Sequence, residues 1–558
     1  MILTAIKLKL VALVAVAGLN TDDMKGISPE MTKALESLAA DQKAAQEKDS
    51  KVDINASLTK TVEKVGELAK AGDPDANYAL GRWALLGLFQ NATAEAAMGS
   101  FKAAADKGHV LAKAELGGLM LQAYPQDPEK VKQAIKYIQE AETGGNNDAR
   151  RALAQLTLQG VGDIIPASLD KAKALLEKGS AAGDGAATLG LSQLYAAGVN
   201  DGKGEVKLAK DENKALEMLQ KAVEQGNSPA MSQLAALYFN GAEHPSVKKD
   251  PAKAITMFKN AADKGNAAAN NSLGQIYENG LGEQKKNIEE AVKYYTAAAN
   301  AGDAAAQFRV GNMLEVGVKD GDKVIVGQNP KAALDLYRIS AQSGLAEANY
   351  NVGAYYEAGN IVDRDLPKSF AFFQRAAFAG LPQAQHKVGA YYQNGVGIGR
   401  DLVAGAAWYQ RAADNGFALS QLVLGAMSEL GSGVPQSFTA AANNYQLAAA
   451  QGMPLAMIRM ASLYERGAGV KADLARAWVY AQQAVDASNK AKDAVAYLEA
   501  LEKNMSSEQK SEAKKIYDQK KSEAKKSDSG APAAAPTSSG SAPAAPTTGG
   551  KGKKGKNN

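Results

Sequence analysis

The sequence predicts an all-α fold, an α-solenoid of antiparallel helix pairs followed by a disordered C-terminal tail. Three observations point to it. The chain has 558 residues, which is more than one hydrophobic core usually holds. Its glycines recur about every 36 residues, as in a repeat array. Hydrophobic residues make up 46% of the chain and aromatic residues only 6%, a composition that favours helices packed through small side chains.

The N-terminal segment MILTAIKLKLVALVAVAGLN has Lys7 and Lys9 before an apolar run that ends in Ala15-Val16-Ala17. This order is typical of a secretory signal peptide, so residues 1–17 are predicted to be removed on export to a periplasm or out of the cell. An ordinary N-terminal helix that docks on the array is the alternative. The run is too short to span a bilayer, and no later segment reaches 18 apolar residues, so no transmembrane span is expected in the mature chain.

Residues 18–72 are predicted to form an N-terminal helical cap. The segment 29–47 is polar with a helical period, and residues 57–71 lead as a helix into the first repeat. Such helices are expected because an end repeat has an apolar face that must be covered.

Residues 73–488 carry a repeated pattern: apolar, small, any, apolar, usually Tyr, two further residues, and Gly. Its first residue, which we call the register residue, is Leu80, Leu116, Leu153, Leu191, Leu234, Leu273, Val310, Val352, Val388, Leu424 and Met460. One helical unit is therefore repeated eleven times. The glycine of the pattern, such as Gly395, is predicted to end a helix in a left-handed cap.

A second helix is predicted to follow in every repeat. It ends in a small-small-x-x-Gly sequence, as at Gly416, and a small residue stands eleven positions before that end. We expect this residue to face a small residue of the first helix, such as Gly353, Gly389 or Gly425, so that the two backbones approach closely. Each repeat is thus predicted to be a tightly packed antiparallel helix pair.

The run Gly395-Val396-Gly397-Ile398-Gly399 raises the alternative of a glycine-rich phosphate loop. A dinucleotide-binding loop would follow a strand and open a helix, and no strand-like run precedes this one. Gly397 also recurs in the corresponding loops, as Gly162, Gly282, Gly433 and Gly469. The run is therefore interpreted as a turn between paired helices, and no cofactor is predicted.

The repeat LPQAQHKVGAYYQNGVGIGRDLVAGAAWYQRAADNG at 381–416 resembles the Sel1-like repeat, a relative of the tetratricopeptide repeat. The matching residues are Ala384, Val388-Gly389, Tyr392, Gly395-Val396-Gly397, Asp401, Trp408-Tyr409, Ala412-Ala413 and Gly416. The resemblance implies a right-handed superhelical α-solenoid and an adaptor function with a protein or peptide partner. Three positions depart from the pattern: Ala123 replaces the turn glycine, and Thr157 and Ser428 replace Tyr.

Beyond the array, residues 489–526 are predicted to form C-terminal capping helices. Residues 527–558 consist mostly of Pro, Ala, Ser, Thr and Gly, and we expect them to be disordered. The four lysines within 551–556 account for the whole formal net charge of +4, so no basic face for nucleic acid is predicted elsewhere. The tail is expected to make at most a weak contact with an anionic surface.

Three loops between paired helices are longer than the rest, at 199–214, 242–252 and 318–331. We expect all three to project from the same edge of the array, because each joins the two helices of one pair. They are either solvated insertions or an edge that helps to hold a partner.

No catalytic or metal-binding constellation is evident in the sequence. Cysteine is absent, and the three histidines, His109, His244 and His386, stand in different repeats. No HExxH, GxSxG or Walker motif is present. The chain is therefore predicted to be no enzyme and to bind no metal, and His386 is interpreted as a surface or packing residue.

The leading hypothesis is a noncatalytic scaffold or adaptor of the bacterial cell envelope. One alternative is an envelope-associated protein that binds an anionic polymer through its basic tail. A repeat-type hydrolase is a weaker alternative, because the related hydrolases are rich in cysteine and this chain has none.

Tyr355, Tyr356, Tyr391 and Tyr392 are the candidate partner-binding residues. These doubled tyrosines occupy equivalent positions in neighbouring repeats, where their rings could align in a ladder. Core filling is the alternative for the first tyrosine of each doublet, because the equivalent positions in other repeats hold Leu237, Ile276, Met313 and Leu463.

Overall fold

The computed structural model describes residues 28–45, 54–85, 93–200, 206–241 and 247–528. These residues form 26 α-helices and four short β-strands. The chain divides into two compact units, Met1–Asp303 (unit 1) and Ala304–Asn558 (unit 2). The predicted signal peptide, His244 and residues 529–558 of the predicted tail lie outside the described residues.

Unit 1 has two N-terminal helices followed by six helix pairs. The N-terminal helices are α1 (Pro29–Ala45) and α2 (Ile54–Lys70). The pairs are α3 (Pro74–Leu85) with α4 (Ala94–Asp106), α5 (Val110–Ala123) with α6 (Pro128–Thr143), α7 (Asn147–Gln159) with α8 (Leu169–Ala181), α9 (Gly185–Ala197) with α10 (Glu212–Glu224), α11 (Ser228–Asn240) with α12 (Pro251–Asp263), and α13 (Ala267–Asn279) with α14 (Ile288–Asn300).

Unit 2 has five helix pairs followed by two C-terminal helices. The pairs are α15 (Ala304–Val316) with α16 (Pro330–Gln342), α17 (Ala346–Ala358) with α18 (Leu366–Phe378), α19 (Pro382–Asn394) with α20 (Leu402–Asp414), α21 (Ala418–Leu430) with α22 (Phe438–Ala450), and α23 (Pro454–Arg466) with α24 (Leu474–Ala487). The last helices are α25 (Lys492–Lys503) and α26 (Ser507–Asp528). Within each unit the helices pack in consecutive order, which confirms the predicted α-solenoid of helix pairs.

The turns inside the pairs are built from capping residues. In the ninth pair α19 ends at Gly395, whose φ of 67° lies in the left-handed region that favours glycine. Helix α20 begins after Asp401, whose side chain accepts hydrogen bonds from the backbone N–H groups of Val403 and Ala404. The Asp401 N–H itself donates to the carbonyl oxygen of Tyr392 at 2.9 Å. The glycine-rich run is thus a helix-to-helix turn, as predicted.

The same backbone hydrogen bond closes two pairs in which Ser428 or Thr157 replaces the pattern tyrosine. The Ser437 N–H donates to the carbonyl oxygen of Ser428 at 2.8 Å, and the Ser168 N–H donates to that of Thr157 at 2.8 Å. The turn therefore does not depend on a tyrosine side chain. Where alanine replaces the turn glycine, α5 ends at Tyr124 with a φ of −129° and has no left-handed cap.

Glycines of the first helices make room for large side chains of the second helices. A Cβ atom on Gly389 would lie 2.9 Å from the ring of Tyr409, which is closer than real Cβ atoms come. The expected approach of small residues is present as well, because a Cβ on Gly405 would lie 3.1 Å from the Gly389 carbonyl oxygen. Equivalent glycine–side chain contacts join Gly81 to Phe101, Gly274 to Tyr295, Gly311 to Tyr337, Gly353 to Phe373 and Gly425 to Tyr445.

Two of the long loops contain β-hairpins, which the sequence analysis did not predict. Strand β1 (Val199–Asn200) pairs antiparallel with β2 (Val206–Leu208), and β3 (Val318–Asp320) pairs antiparallel with β4 (Lys323–Val326). Gly321, with a φ of 58°, lies in the turn of the second hairpin. The spacing of small residues in the helices carries no information about these insertions, which is why the hairpins were missed.

Helices outside the pairs cover an apolar end of each unit. Met31 of α1 and Val65 of α2 are buried in one cluster with residues of the first pair. Leu501, just before the end of α25, and Ala513 of α26 are buried with Trp478 of α24. Helix α26 extends two residues further than the predicted end of the capping helices.

Candidate functional site

The first helices of unit 2 share a face, which we call the first-helix face. It consists of four residues in each first helix: those five and two positions before the register residue, and those two and five positions after it. Residues at these spacings lie on one side of a helix. All of them except Leu422 are partly or largely exposed. Pair by pair the face is formed by Ala305, Phe308, Asn312 and Glu315; by Glu347, Tyr350, Ala354 and Glu357; by Gln383, His386, Ala390 and Gln393; by Leu419, Leu422, Ala426 and Glu429; and by Leu455, Ile458, Ser462 and Glu465.

A row of large side chains runs along this face, two positions before each register residue. Its members are Phe308, Tyr350, His386, Leu422 and Ile458. Rings of the second helices support the row from inside the unit. The centroids of Phe308 and Tyr337 are 5.5 Å apart, and those of Tyr350 and Phe373 are 5.1 Å apart. The row is therefore held by the packed interior rather than by a loop.

Two leucines at one end of the face are exposed to solvent. Leu419 is 40% exposed and Leu455 is 52% exposed, although buried residues follow each of them in its helix. Beside them the positions two residues after the register residue hold small side chains, Ala426 and Ser462, and the positions five residues after it hold Glu429 and Glu465. An aliphatic surface that a unit leaves uncovered in this way is a feature of interaction sites.

His386 lies in the middle of the row and is packed rather than solvated. Its Nδ1 is 2.8 Å from the Ser420 hydroxyl, and its ring is 5.1 Å from that of Tyr409 and 5.3 Å from that of Phe417. Burial, with a smaller effect of the nearby Lys387 charge, lowers the pKa of His386 to about 4. The imidazole is therefore neutral near pH 7, in keeping with the interpretation as a packing residue.

Two carboxylates of the face form ion pairs with the following helix pair. Glu357 Oε2 accepts a hydrogen bond from Lys387 Nζ at 2.8 Å, and Glu429 Oε1 accepts one from Arg466 at 2.8 Å. The hydrogen bond from Arg466 is among the causes that lower the pKa of Glu429 against the effect of burial. These pairs link neighbouring first helices and fix the spacing of the face.

Glu315 has a different environment. The hydroxyls of Tyr337 and Tyr355 lie 2.7 Å and 2.9 Å from its two carboxylate oxygens. Burial and the negative charge of Glu315 raise the pKa of Tyr355. No Lys, Arg or His side chain forms an ion pair with Glu315 in the part of unit 2 that the structure describes.

The structure separates the four candidate tyrosines. Tyr355 is only 7% exposed and Tyr391 only 2%, so both rings fill the core. The Tyr391 hydroxyl is 2.8 Å from the Ser369 hydroxyl and 3.2 Å from Glu357. Only the hydroxyl groups of these two residues thus reach the carboxylates of the first-helix face.

Tyr356 and Tyr392 point towards the second helices instead. The Tyr356 hydroxyl accepts a hydrogen bond from Arg338 at 3.0 Å, and its ring stacks on Phe372. The Tyr392 ring meets Phe370 edge to face at 5.5 Å. The described side chains therefore form no ladder of the four rings, and a role of Tyr356 and Tyr392 in partner binding stays a prediction.

The corresponding face of unit 1 holds both polar and apolar residues. Its positions include Asp148, Arg151, Gln155, Gln193, Asn271 and Gln275. A groove of about 460 Å³ runs over α3, α5 and α7, and Arg82 and Glu115 form an ion pair of 2.5 Å in it. Leu85, five positions after the first register residue, is 41% exposed, so this face has exposed aliphatic residues in both units.

The sequence analysis did not single out Phe308, Leu419 or Leu455. Their positions could be located from the register residues, but residues at these offsets are of mixed polar and apolar type in both units. Apolar residues at helical spacing are equally typical of a buried core, however, so only the exposed fraction of each side chain distinguishes the two cases.

Over the described ranges, no group of acidic and histidine side chains is placed to hold a metal ion. None of the helices in those ranges is long and apolar enough to cross a membrane.

Nine segments of the chain match the family model for the Sel1 repeat. Together they cover more than half of the chain, at residues 147–184, 191–227, 228–266, 267–303, 304–345, 346–380, 382–417, 418–453 and 454–489. The chain belongs to the Sel1 repeat family. Two further helix pairs precede the matched Sel1 repeats, and their glycine and register positions follow the same pattern.

One solved structure shares the fold of this Sel1 repeat protein, and a second shows a more limited similarity. A protective antigen of uropathogenic Escherichia coli with an SLR fold superposes with a TM-score of 0.52 at 23% identity, covering 85% of this chain and 99% of that one. A Sel1 repeat protein from Oxalobacter formigenes has a TM-score of 0.41 at 25% identity, covering 58% of this chain and 89% of that one. No curated protein matches the sequence. Sel1 repeat proteins generally mediate protein–protein interactions and are typically noncatalytic.

Proposed function

We propose that this Sel1 repeat protein is a noncatalytic scaffold whose first-helix face in unit 2 binds a segment of another protein. The observation that carries the proposal is the row of large side chains on this face, with Leu419 and Leu455 exposed beside it. Repeat arrays bind their partners along extended faces of this kind, and no loop has to fold to create the surface.

A charge placed on the face tests this proposal. In Leu455→Glu a carboxylate replaces an aliphatic side chain that is 52% exposed, and the matched control Leu447→Glu changes a side chain of α22 that is 54% exposed but outside the face. Proteins that copurify with each full-length variant are quantified by mass spectrometry. We expect a specific partner of the unsubstituted protein to be lost from Leu455→Glu and kept by Leu447→Glu. An equal effect of both substitutions would contradict the proposal.

The proposed place of action is the bacterial envelope, and it is supported by the signal-peptide pattern of residues 1–17 alone. N-terminal sequencing of the protein from separated cell fractions tests it. We expect a mature chain that begins near Gly18 in the exported fraction. An intact N-terminus in the cytoplasmic fraction would contradict export.

A second candidate function is binding of an anionic polymer through the basic tail. It is supported by the four lysines within residues 551–556. Exposed lysine contacts are screened over about 8 Å at physiological ionic strength, so such binding would be lost in high salt. We expect deletion of residues 529–558 to leave salt-resistant protein binding unchanged, and loss of that binding would favour the tail as the binding element.

A further inference from the structure

The second helices of the eighth and ninth pairs each carry an arginine that packs on an aromatic ring. In α18 the guanidinium of Arg375 lies over the ring of Phe372, 5.2 Å from its centroid. In α20 the guanidinium of Arg411 lies over Trp408 at 4.5 Å. The arginine stands five positions, and the ring eight positions, before the glycine that ends the repeat. On the neighbouring second helices, α16 and α22, these positions hold no arginine and no aromatic residue, so the arrangement is confined to α18 and α20.

An exposed phenylalanine joins the two helices of this arrangement. Phe378, at the end of α18, is 68% exposed, and its ring meets that of Trp408 edge to face at 5.2 Å. The position two residues before the end of the repeat is small or polar in the other pairs, as at Gln342, Asp414 and Ala450. The repeat pattern therefore does not require a ring here, and the ring adds an apolar surface beside the two arginines. The second-helix cluster is our name for Phe372, Arg375, Phe378, Trp408 and Arg411.

The two arginines of the cluster have no carboxylate partner. Neither guanidinium forms an ion pair or a side-chain hydrogen bond with any residue that the structure describes in unit 2. By contrast Lys368, in the first turn of α18, is paired with Asp365 at 2.8 Å. The one carboxylate of α20, that of Asp414, accepts a hydrogen bond from Gln410 at 2.7 Å instead. The cluster thus presents two positive charges that are available to a ligand.

The aromatic rings limit the movement of the two guanidinium groups. The Phe372 ring is itself held by stacking on Tyr356 at 5.9 Å. A side chain that is already restricted in this way loses less conformational entropy when it binds a ligand. Because a guanidinium presents its N–H donors as a fork, it matches the two oxygens of a carboxylate. The cluster thus combines donors for carboxylates with an exposed apolar ring.

We infer that the second-helix cluster is a further interaction surface, which binds an acidic segment of a partner protein whose carboxylates flank an apolar side chain. The carboxylates pair with Arg375 and Arg411, and the apolar side chain covers the exposed ring of Phe378. None of these residues belongs to the first-helix face, so the inference stands apart from the proposed function.

An acidic protein segment fits this surface better than a long anionic polymer or the chain's own tail. Two unpaired charges give a polyanion few contacts, and such binding falls steeply as salt is added. Phe378 adds an apolar contact that salt does not screen. Residues 529–558 contain no aspartate or glutamate, so the tail supplies no carboxylate side chain. A second copy of the chain is an alternative that the experiment distinguishes.

The test uses three synthetic fluorescent peptides of about twelve residues and the full-length protein. One has glutamates on both sides of central leucines, the second has glutamines in place of the glutamates, and the third has serines in place of the leucines. We expect the glutamate–leucine peptide to bind tightest by fluorescence anisotropy, because only this peptide supplies both carboxylates and apolar side chains.

Substitutions in the protein identify the side chains that bind. Arg375→Gln/Arg411→Gln should weaken binding of the glutamate–leucine peptide by about 3- to 20-fold, the range for the loss of two exposed ion pairs. The matched control is Arg364→Gln/Arg400→Gln, which removes two exposed arginines from turns outside the cluster and should change binding by less than about 2-fold. Phe378→Ser should weaken binding by about 3- to 10-fold and leave that of the serine peptide unchanged.

Any of the following results would overturn the inference: equal weakening by the two double variants, equal binding of the glutamate and glutamine peptides, or no binding of any peptide at millimolar concentration. Loss of binding in Leu455→Glu would assign the peptide to the first-helix face instead. Polyphosphate that displaces the peptide and binds equally well to Phe378→Ser would assign the cluster to an anionic polymer. A dimer seen by sedimentation that dissociates in Arg375→Gln/Arg411→Gln would assign it to a second copy of the chain.

Discussion

A glutamine in the first helix of the ninth pair joins three helices through its side-chain amide. Gln385 Nε2 donates to the carbonyl oxygen of Ala377 at 3.2 Å, while its Oε1 accepts from Asn415 Nδ2 at 3.0 Å. The tenth pair repeats this arrangement with Gln421, Ala413 and Gln451. In the eighth pair Asn349 keeps the hydrogen bond from Nδ2, but its buried Oδ1 has no partner, because Ala379 stands where Asn415 and Gln451 stand.

Ala379→Gln is expected to supply the missing donor. Asn349 is one methylene shorter than Gln385, so the new donor has to reach further. Glutamine is therefore chosen rather than asparagine. The new hydrogen bond to a buried acceptor should raise the free energy of unfolding by about 0.5–1.5 kcal/mol. Thermal or urea unfolding measures the gain, and the same substitution in an Asn349→Ala background is the control. A gain of the same size in that background would show that the hydrogen bond is not its cause.

The glycines that face second-helix rings predict a second result at this scale. Gly389→Leu would force a side chain into the space occupied by the Tyr409 ring and should lower the free energy of unfolding by about 1–3 kcal/mol. Gly118→Ala is the matched control, because that helical glycine has open space around its Cβ position, and it should gain up to about 1 kcal/mol. Unchanged unfolding of Gly389→Leu would contradict the contact.

His386 links stability to pH. Its folded pKa of about 4 lies below the unfolded value of 6.5, so the unfolded chain binds a proton that the folded chain does not bind between these values. The contribution of the neutral histidine to the free energy of unfolding is fully present above pH 6.5. It falls as the pH decreases towards 4, by at most about 3 kcal/mol. Unfolding curves of His386→Asn between pH 7.5 and 4.5 should therefore depend less on pH than those of the unsubstituted protein. Parallel pH profiles of His386→Asn and the unsubstituted protein would contradict this prediction.

At the scale of single elements, the hairpin of β3 and β4 is an insertion into an otherwise standard turn. The Asn329 N–H still donates to the carbonyl oxygen of Leu314 at 2.6 Å, in the same way as Asp401 donates to Tyr392 in the ninth pair. The two ends of the hairpin thus meet where a short turn would begin and end.

Replacing residues 317–328 by the turn sequence GVGIGR of residues 395–400 should therefore leave the helix pair intact. We expect the helical signal in circular dichroism to be kept and the midpoint of thermal unfolding to change little, because closing a shorter loop costs less entropy. The control is a six-residue insert that contains no glycine and therefore forms the left-handed cap less easily. A large loss of helical signal with the glycine-containing turn would show that the hairpin supports the fold.

The sequence predicted the helices and turns better than it predicted the surface. Glycines such as Gly395 and Gly416 act through their own backbone geometry, so their spacing located the helix ends correctly. The contact between Gly389 and the Tyr409 ring was missed, although an aromatic residue recurs seven positions before the closing glycine in several repeats, because the sequence analysis paired the small residues of the two helices with each other. The first-helix face was missed for another reason: the exposure of Leu455 depends on neighbouring helices and not on its own repeat.

At the scale of the whole molecule, the central claim is that unit 2 recognises a protein along its first-helix face. The chain belongs to the Sel1 repeat family, whose members generally mediate protein–protein interactions. On that face a row of large side chains lies beside the exposed leucines Leu419 and Leu455.

Site-specific photocrosslinking tests the claim most directly. A photoreactive amino acid replaces either Leu455 on the first-helix face or Leu447 on α22, two positions of nearly equal exposure. The account predicts a discrete protein adduct from position 455 and no such adduct from position 447. Equal adducts from both positions, or an adduct from position 447 alone, would contradict it.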